Sequence, residues 1–345
     1  MRAYLLTPLL AFAISATAQY SGPESVEYDP VGDRYFVSNT GNGTISVRTQ
    51  AGAVSTFASV STGGPHGLEV KGDTLFACSG SRLLGFLLAD GMQVFNLDLG
   101  GGFNNGITTD GVHVYVTDFS GRKIFKVDPA ANTFTTLVNN TGNTPNGIVF
   151  DPEMDRLWVV GWGSSAFIRS YDRVSGDQLS TFTTALGNID GVTLDCNGDL
   201  LVASWSPNRI SRFEKTFTQP VATVLSTGLS SPADIDYDTL NKVICIPNSG
   251  SNTVTLHSYT CSGVGVDERD QVSRTVIGPV PANDQLHVLQ LEDGRWDYRI
   301  LAIDGAIVRS GTLTRGSAIN LGGLASGVYV LALPQRGERL PFTKE

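Results

Sequence analysis

The 345-residue chain is short of several things, and each shortage excludes something. Charged residues make up only 17% of it while hydrophobic residues make up 41%, a balance that excludes intrinsic disorder. Positive charge is scarcer still, with 24 Lys plus Arg against 33 Asp plus Glu and a formal net charge of −9. Without a basic stripe, nucleic acid and an anionic membrane surface are excluded as partners. Helical periodicity is missing throughout. After the first 18 residues no apolar run approaches the roughly 18 residues of a membrane-spanning helix, so no transmembrane segment is expected. No G-x-S-x-G elbow, Walker loop, C-x-x-C pair or H-E-x-x-H is present, which removes serine hydrolases, nucleotide enzymes and zinc proteases.

What is present begins with a leader. Arg2, the apolar stretch from Tyr4 to Ile14 and Ala16-Thr17-Ala18 before Gln19 have the order of a secretory signal peptide over residues 1–18. Export makes the four cysteines candidates for disulfides, with three possible connectivities. Cys78 and Cys245 sit inside apolar strand patterns and read as small buried hydrophobes. Cys196 falls in a turn and Cys261 at a strand end on the same rim, which favours that pair.

A repeat organises residues 22–262. The block turn residue, polar residue, small residue, apolar residue, often closed by Asp, recurs at Pro23-Glu24-Ser25-Val26, Pro65-His66-Gly67-Leu68 and Asn104-Asn105-Gly106-Ile107. It returns at Pro145-Asn146-Gly147-Ile148, Ile189-Asp190-Gly191-Val192 and Pro232-Ala233-Asp234-Ile235. The apolar anchors at 26, 68, 107, 148, 192 and 235 give a period near 42 residues. Each unit then shows further short alternating runs bounded by Gly, Asn, Asp and Ser, the mark of strands. That period without helices is the size of a four-stranded propeller blade. The fold class expected is all-β: a six-bladed β-propeller over residues 19–262, reading as a monomer. The sixth unit lacks a clear fourth strand, so its blade is either three-stranded or fastened by a disulfide at Cys261. A charged linker over 263–275 leads to six or seven short strands over 276–345, a small immunoglobulin-like β-sandwich.

In such a ring the first strand of each unit lines the central channel, and the repeat places Glu24, His66, Asn105, Asn146, Asp190 and Ala233 around one mouth. Asn104 and Asp234 stand adjacent. Unpaired, this cluster would carry a desolvation cost. Asp, Glu and Asn oxygens at this density suit a hard cation such as Ca²⁺, whereas Zn²⁺ would want more His or Cys than a chain with four His offers. Asn or Asp before Gly is equally what tight turns select. Trp158, Trp162 and Trp205 fit either a ligand-stacking wall or core packing.

Two resemblances follow from particular residues. Pro279-Val280-Pro281-Ala282-Asn283-Asp284-Gln285-Leu286, Tyr298-Arg299-Ile300 leading to Asp304-Gly305, LGGLASGVYVL over 321–331 and the terminal Pro341-Phe342-Thr343-Lys344-Glu345 resemble the type A C-terminal sorting domain of type IX secretion substrates. Val280 stands where that family usually has Asn. The resemblance implies the type IX machinery as partner, translocation across an outer membrane, and release or attachment at the cell surface. Gly102-Phe103-Asn104-Asn105-Gly106, Pro145-Asn146-Gly147-Ile148, Asp190-Gly191-Val192, Asp195-Cys196-Asn197-Gly198 and Leu200 to Trp205 resemble the gluconolactonase and senescence marker protein family, grading into NHL-type repeats. That resemblance implies a divalent metal on Asn146 and Asp190, with Asn104 or its neighbour Asn105, and a lactone hydrolysis in which Asp190 or His66 relays the proton. The family's remaining ligand, a Glu, falls here on Ser21, with Glu24 three residues on as the substitute. Two functions stay open: an NHL-like propeller that binds a small molecule, glycan or protein at the mouth, and a metal-dependent lactonase.

Overall fold

The computed structural model describes residues 19–60, 63–261, 275–291, 294–302, 306–333 and 338–345. The leader and nearly all of the 263–275 linker lie outside the described residues. The chain divides into two compact units, Met1–Ser262 and Gly263–Glu345.

The first unit is built of consecutive antiparallel meanders. The first sheet holds β1 (Pro23–Asp29), β2 (Arg34–Asn39), β3 (Thr44–Thr49) and β4 (Val54–Ser59). The second holds β5 (Leu68–Lys71), β6 (Thr74–Ser79), β7 (Arg82–Leu87) and β8 (Gln93–Asp98). The third holds β9 (Asn104–Thr109), β10 (Val114–Asp118), β11 (Lys123–Asp128) and β12 (Thr133–Val138). The fourth holds β13 (Pro145–Asp151), β14 (Arg156–Gly161), β15 (Phe167–Asp172) and β16 (Gln178–Thr183). The fifth holds β17 (Gly187–Leu194), β18 (Leu200–Ser206), β19 (Asn208–Phe213) and β20 (Ala222–Leu225). The sixth has three strands, β21 (Asp236–Asp238), β22 (Val243–Asn248) and β23 (Thr253–Ser258). No α-helix occurs among the described residues.

The first strands follow one another around a ring. β1 lies against β5, β5 against β9, β9 against β13, β13 against β17, β17 against β21, and β21 against β1. Apolar clusters fill the gaps between successive sheets. Trp158, Val160 and Ile168 of the fourth sheet, for example, pack with Ile189, Val192 and Leu200 of the fifth. The ring closes through packing and hydrogen bonds. Tyr28, Tyr35 and Val37 share a cluster with Cys245 of the last sheet, and the Tyr35 hydroxyl donates to Asp238 Oδ2 at 2.6 Å. Cys196 and Cys261 form a disulfide that ties the turn after β17 to the chain leaving β23, while Cys78 and Cys245 are free and buried.

Two features of the repeat have clear structural causes. The Asp that often closes the block caps the first hairpin. Asp29, Asp110, Asp151 and Asp195 each accept two backbone N–H groups from the following turn, and Asp238 accepts one from Asn241. The glycines at 67, 106, 147 and 191 let neighbouring inner strands meet. A Cβ on Gly106 would fall 2.3 Å from the Asn146 carbonyl oxygen, and one on Gly147 2.7 Å from that of Asp190.

The second unit is a pair of sheets. One holds β24 (Val276–Gly278), β25 (Gln285–Gln290) and β28 (Ala318–Asn320). The other runs β27 (Ile307–Leu313), β26 (Trp296–Ala302), β29 (Gly327–Leu333) and β30 (Glu338–Lys344). Leu286, Val288 and Ile319 of the first sheet share one core with Ile300, Leu331 and Phe342 of the second.

Candidate functional site at the channel mouth

The first strands carry three successive layers of side chains around the axis. At one mouth stand Glu24 of β1, Asn105 of β9, Asn146 of β13 and Asp190 of β17, with His66 just before β5 and Ala233 just before β21 at the same repeat position. The waist below is Ser25, four glycines and Asp234. The far layer is Glu27, Glu69, Thr108, Val149, Thr193 and Asp236, which line a cavity of about 280 Å³.

At the mouth, three consecutive sheets join side chain to side chain. The Asn105 amide donates to Asn146 Oδ1, and the Asn146 amide donates to Asp190 Oδ1 at 3.0 Å. All three are buried, with Asn146 2% and Asp190 3% exposed. Glu24 and His66 are half-buried and complete the ring toward solvent. Burial pushes the Asp190 carboxyl well up, and the nearby Glu24 and Asp234 add to it. Burial likewise raises Glu24 to about 7 and Asp234 to about 8, the latter helped by Glu24 and Asp236. Among the described residues no Lys or Arg is a leading influence on any of the three. Burial pushes the His66 imidazole down to about 4, so it is neutral at pH 7, and its Nδ1 has no hydrogen-bond partner.

Asn104 stands elsewhere. Its position in the block is Pro in four of the other units, at 23, 65, 145 and 232, and successive residues of a strand face opposite ways. Its side chain lies beside Asp118, where a Cβ on Gly101 would come 2.4 Å from Asn104 Oδ1 and 3.2 Å from Asp118 Oδ2. Both Asn104 side-chain atoms are buried without partners. The Ser21 amide donates to Asn39 Oδ1 at 3.0 Å, and Glu24, three residues on, lies near enough to Asp190 to raise it.

The far layer has a structural task. The inner edge of each first strand leaves N–H groups unpaired, and side chains of the preceding strand accept them. Glu27 Oε1 accepts from Val70 at 2.8 Å, Thr108 Oγ1 from Phe150 at 3.1 Å, and Asp236 Oδ2 from Tyr28 at 3.0 Å. Glu69 accepts from the Thr109 amide, and Thr193 donates to Asp236.

The three tryptophans separate. Trp158 is core, 1% exposed, with its indole N–H donated to Asp151 Oδ2. Trp162 and Trp205 are half-exposed at the mouth end, their rings edge-to-face at 4.9 Å. Two aromatics unnoticed in the sequence continue the line: Phe119 lies 6.0 Å from Trp162, Phe103 5.4 Å from Phe119, and His66 4.6 Å from Phe103. The Trp205 indole N–H donates to the Pro232 carbonyl at 3.1 Å and also lies near Asp190. A horseshoe of rings thus passes over the second to fifth sheets and ends at the sixth. The signal was available, because Phe119, Trp162 and Trp205 occupy one position of the repeat, three residues past the partner of the apolar anchor. Among the described residues no three His, Cys, Asp or Glu side chains are grouped to hold a metal ion.

No protein-family model and no curated protein matches the sequence. Solved structures do match. Hydrazine synthase of Kuenenia stuttgartiensis superposes with a TM-score of 0.57 at 17% identity, covering 71% of this chain and 79% of that one. A protein of unknown function from Bacteroides thetaiotaomicron gives 0.58 at 11% identity, covering 69% and 70%. The WD40 β-propeller domain of Doa1 gives 0.54 at 15%, covering 67% and 77%. At these identities the likeness concerns fold alone, and the fold of the first unit is a β-propeller.

Proposed function

We propose that residues 19–262 form a six-bladed β-propeller that serves as an exported binding module, with its ligand site at the mouth ringed by Glu24, His66, Asn105, Asn146 and Asp190. The observation that carries this is the Asn105–Asn146–Asp190 row. Three consecutive sheets each place a polar side chain at the same repeat position, where strand packing asks only for bulk. Export is supported by the leader-like residues 1–18 and by the Cys196–Cys261 disulfide, a bond suited to an oxidising compartment. The 276–345 sandwich, immunoglobulin-like in build, serves in this reading as the type IX sorting domain, and the protein ends outside the cell or on its surface.

A divalent metal fits the mouth by donor chemistry. Buried Glu24 and Asp190 have no cationic partner, and hard oxygen donors are what Ca²⁺ takes. Such an ion would draw on these two carboxylates and on the Asn105 and Asn146 carbonyl oxygens; Asn104 is turned away from them. When bound it would supply countercharge and a Lewis-acid centre. Calorimetric titration of the full chain with Ca²⁺ tests this. Uptake accompanied by proton release, and lost in Glu24→Gln and Asp190→Asn, is expected; no uptake at millimolar Ca²⁺ removes the metal.

One observation favours lactone hydrolysis as a second reading. His66, neutral at pH 7 with an unpartnered Nδ1, stands in one ring with Asp190, whose hold on a proton burial strengthens, so an acceptor and a donor of protons are paired there. Turnover of a lactone panel that disappears in both His66→Ala and Asp190→Asn would establish it, and its absence leaves the binding module.

A further inference from the structure

The aromatic horseshoe is not explained by the polar ring beneath it. At one repeat position the six units read Thr40, Gly80, Phe119, Trp162, Trp205 and Ser249. The aromatics occupy the third, fourth and fifth units only, and these are the units that contribute Asn105, Asn146 and Asp190. If the rings served strand packing alone, nothing would confine them to the blades with the polar row. The two rows coincide on one side of the axis, so the feature is directional, as a site for an elongated ligand must be. All three rings are half-exposed, against a core in which Trp158 and Tyr115 are closed off. Phe119, Trp162 and Trp205 meet edge-to-face, at centroid separations of 6.0 and 4.9 Å and interplanar angles of 62° and 78°, so they form one contiguous but stepped row of rings.

Resting on the reading of the mouth as a binding site, we infer that Phe119, Trp162 and Trp205 form a platform for a neutral oligosaccharide, with Glu24 and His66 at its polar margin. The chemistry of the surface selects this class. The face of each single ring is complementary to the C–H face of one pyranose, whose hydroxyls then project sideways toward hydrogen-bonding groups, and successive stepped rings suit successive sugar units. Among the described residues no Lys or Arg forms an ion pair with the mouth carboxyls, and the acid-rich mouth disfavours phosphates, nucleotides and other anions. At the same repeat position the two flanking units, the second and the sixth, carry Gly80 and Ser249 in place of a ring.

The test is a titration of the full chain with cellohexaose, mannohexaose and chitohexaose, followed by tryptophan fluorescence and calorimetry. At least one sugar is expected to bind and to change the indole emission. Trp162→Ala and Trp205→Ala should each weaken it by about tenfold or more, the scale of a buried aromatic contact. Trp162→Phe and Trp205→Phe, which keep a ring, should weaken it less, and they guard against loss of folding in the alanine variants. No binding by any of the three sugars overturns the inference, as does binding indifferent to both tryptophan positions. Tetramethylammonium displacing indole emission where the sugars do nothing would assign the platform to a cation instead. Calcium uptake in the absence of sugar binding would leave the mouth as a site and remove only the platform.

Discussion

Single residues at the mouth divide into those whose role follows from their neighbours in the repeat and those that mislead when read alone. Asn146 and Asp190 were legible because the same block recurs in phase. Asn104, which the resemblance names, fills the turn position that is Pro in four other units, so the repeat alone gives it no place in the ring. Its neighbour Asp118 shows what that end of the sheet does: Asp118 accepts the amides of Gly102, Phe103 and Gly121 and so fixes the loop that carries Phe103. Phe103 and Phe119 escaped notice because one aromatic beside a strand is usually core. Trp158 is the counterexample among the tryptophans. Trp158→Phe loses a buried hydrogen bond to Asp151 and leaves unfilled volume, at a cost of about 1–3 kcal/mol. Denaturant unfolding should register that cost while ligand binding at the mouth stays at wild-type affinity. A binding defect without a stability defect would place Trp158 in the site and overturn the division.

Strands were the most legible elements, since period-2 alternation between Gly, Asn, Asp and Ser turns fixes their type and nearly their ends. The missing fourth strand of the last sheet was readable too, and the Cys196–Cys261 bond sits where that sheet leaves the ring. What alternation cannot convey is how closely the inner strands approach one another, because that depends on the ring as a whole. The glycines of the repeat read only as its small residue in sequence, yet 106 and 147 lie inside β9 and β13, where their missing side chains admit the next strand's backbone. Gly106→Ala therefore has to push β9 and β13 apart against a carbonyl oxygen, which does not yield as a flexible side chain would. A loss of about 1–3 kcal/mol is expected in urea unfolding, with the Asn105–Asn146 contact disturbed alongside. An unchanged midpoint would mean that the inner strands are farther apart than 2.3 Å from Cβ to oxygen implies.

For the molecule as a whole the axis is the costly region, because closing a ring of sheets gathers acids from all sides into one narrow space. The closing contact itself uses one of them: Ser25 Oγ donates to Asp234 Oδ2 at 2.9 Å, and the Asp234 amide donates to the Glu24 carbonyl at 2.8 Å. Glu24 and Asp234, raised to about 7 and about 8, keep protons in the folded state that the unfolded chain has already released. Their stabilising contribution is complete below about pH 4 and is lost as pH rises through 7 and 8. His66, pushed down to about 4, works the other way: its contribution is present above about pH 6.5 and lost as pH falls toward 4. Above about pH 6.5 only the carboxyls act, so the melting temperature should decline steadily from there to about pH 9. Asp234→Asn keeps an acceptor for Ser25 and removes the ionisation. It should match the wild type below about pH 4, where the carboxyl is protonated folded and unfolded alike, and melt about 2–4 °C higher or more by about pH 8 to 9. Saturating Ca²⁺, if the mouth takes it, should flatten the wild-type decline by supplying the countercharge that the fold lacks. Parallel pH slopes for wild type and Asp234→Asn would show that Asp234 is not the group whose ionisation strains the closure.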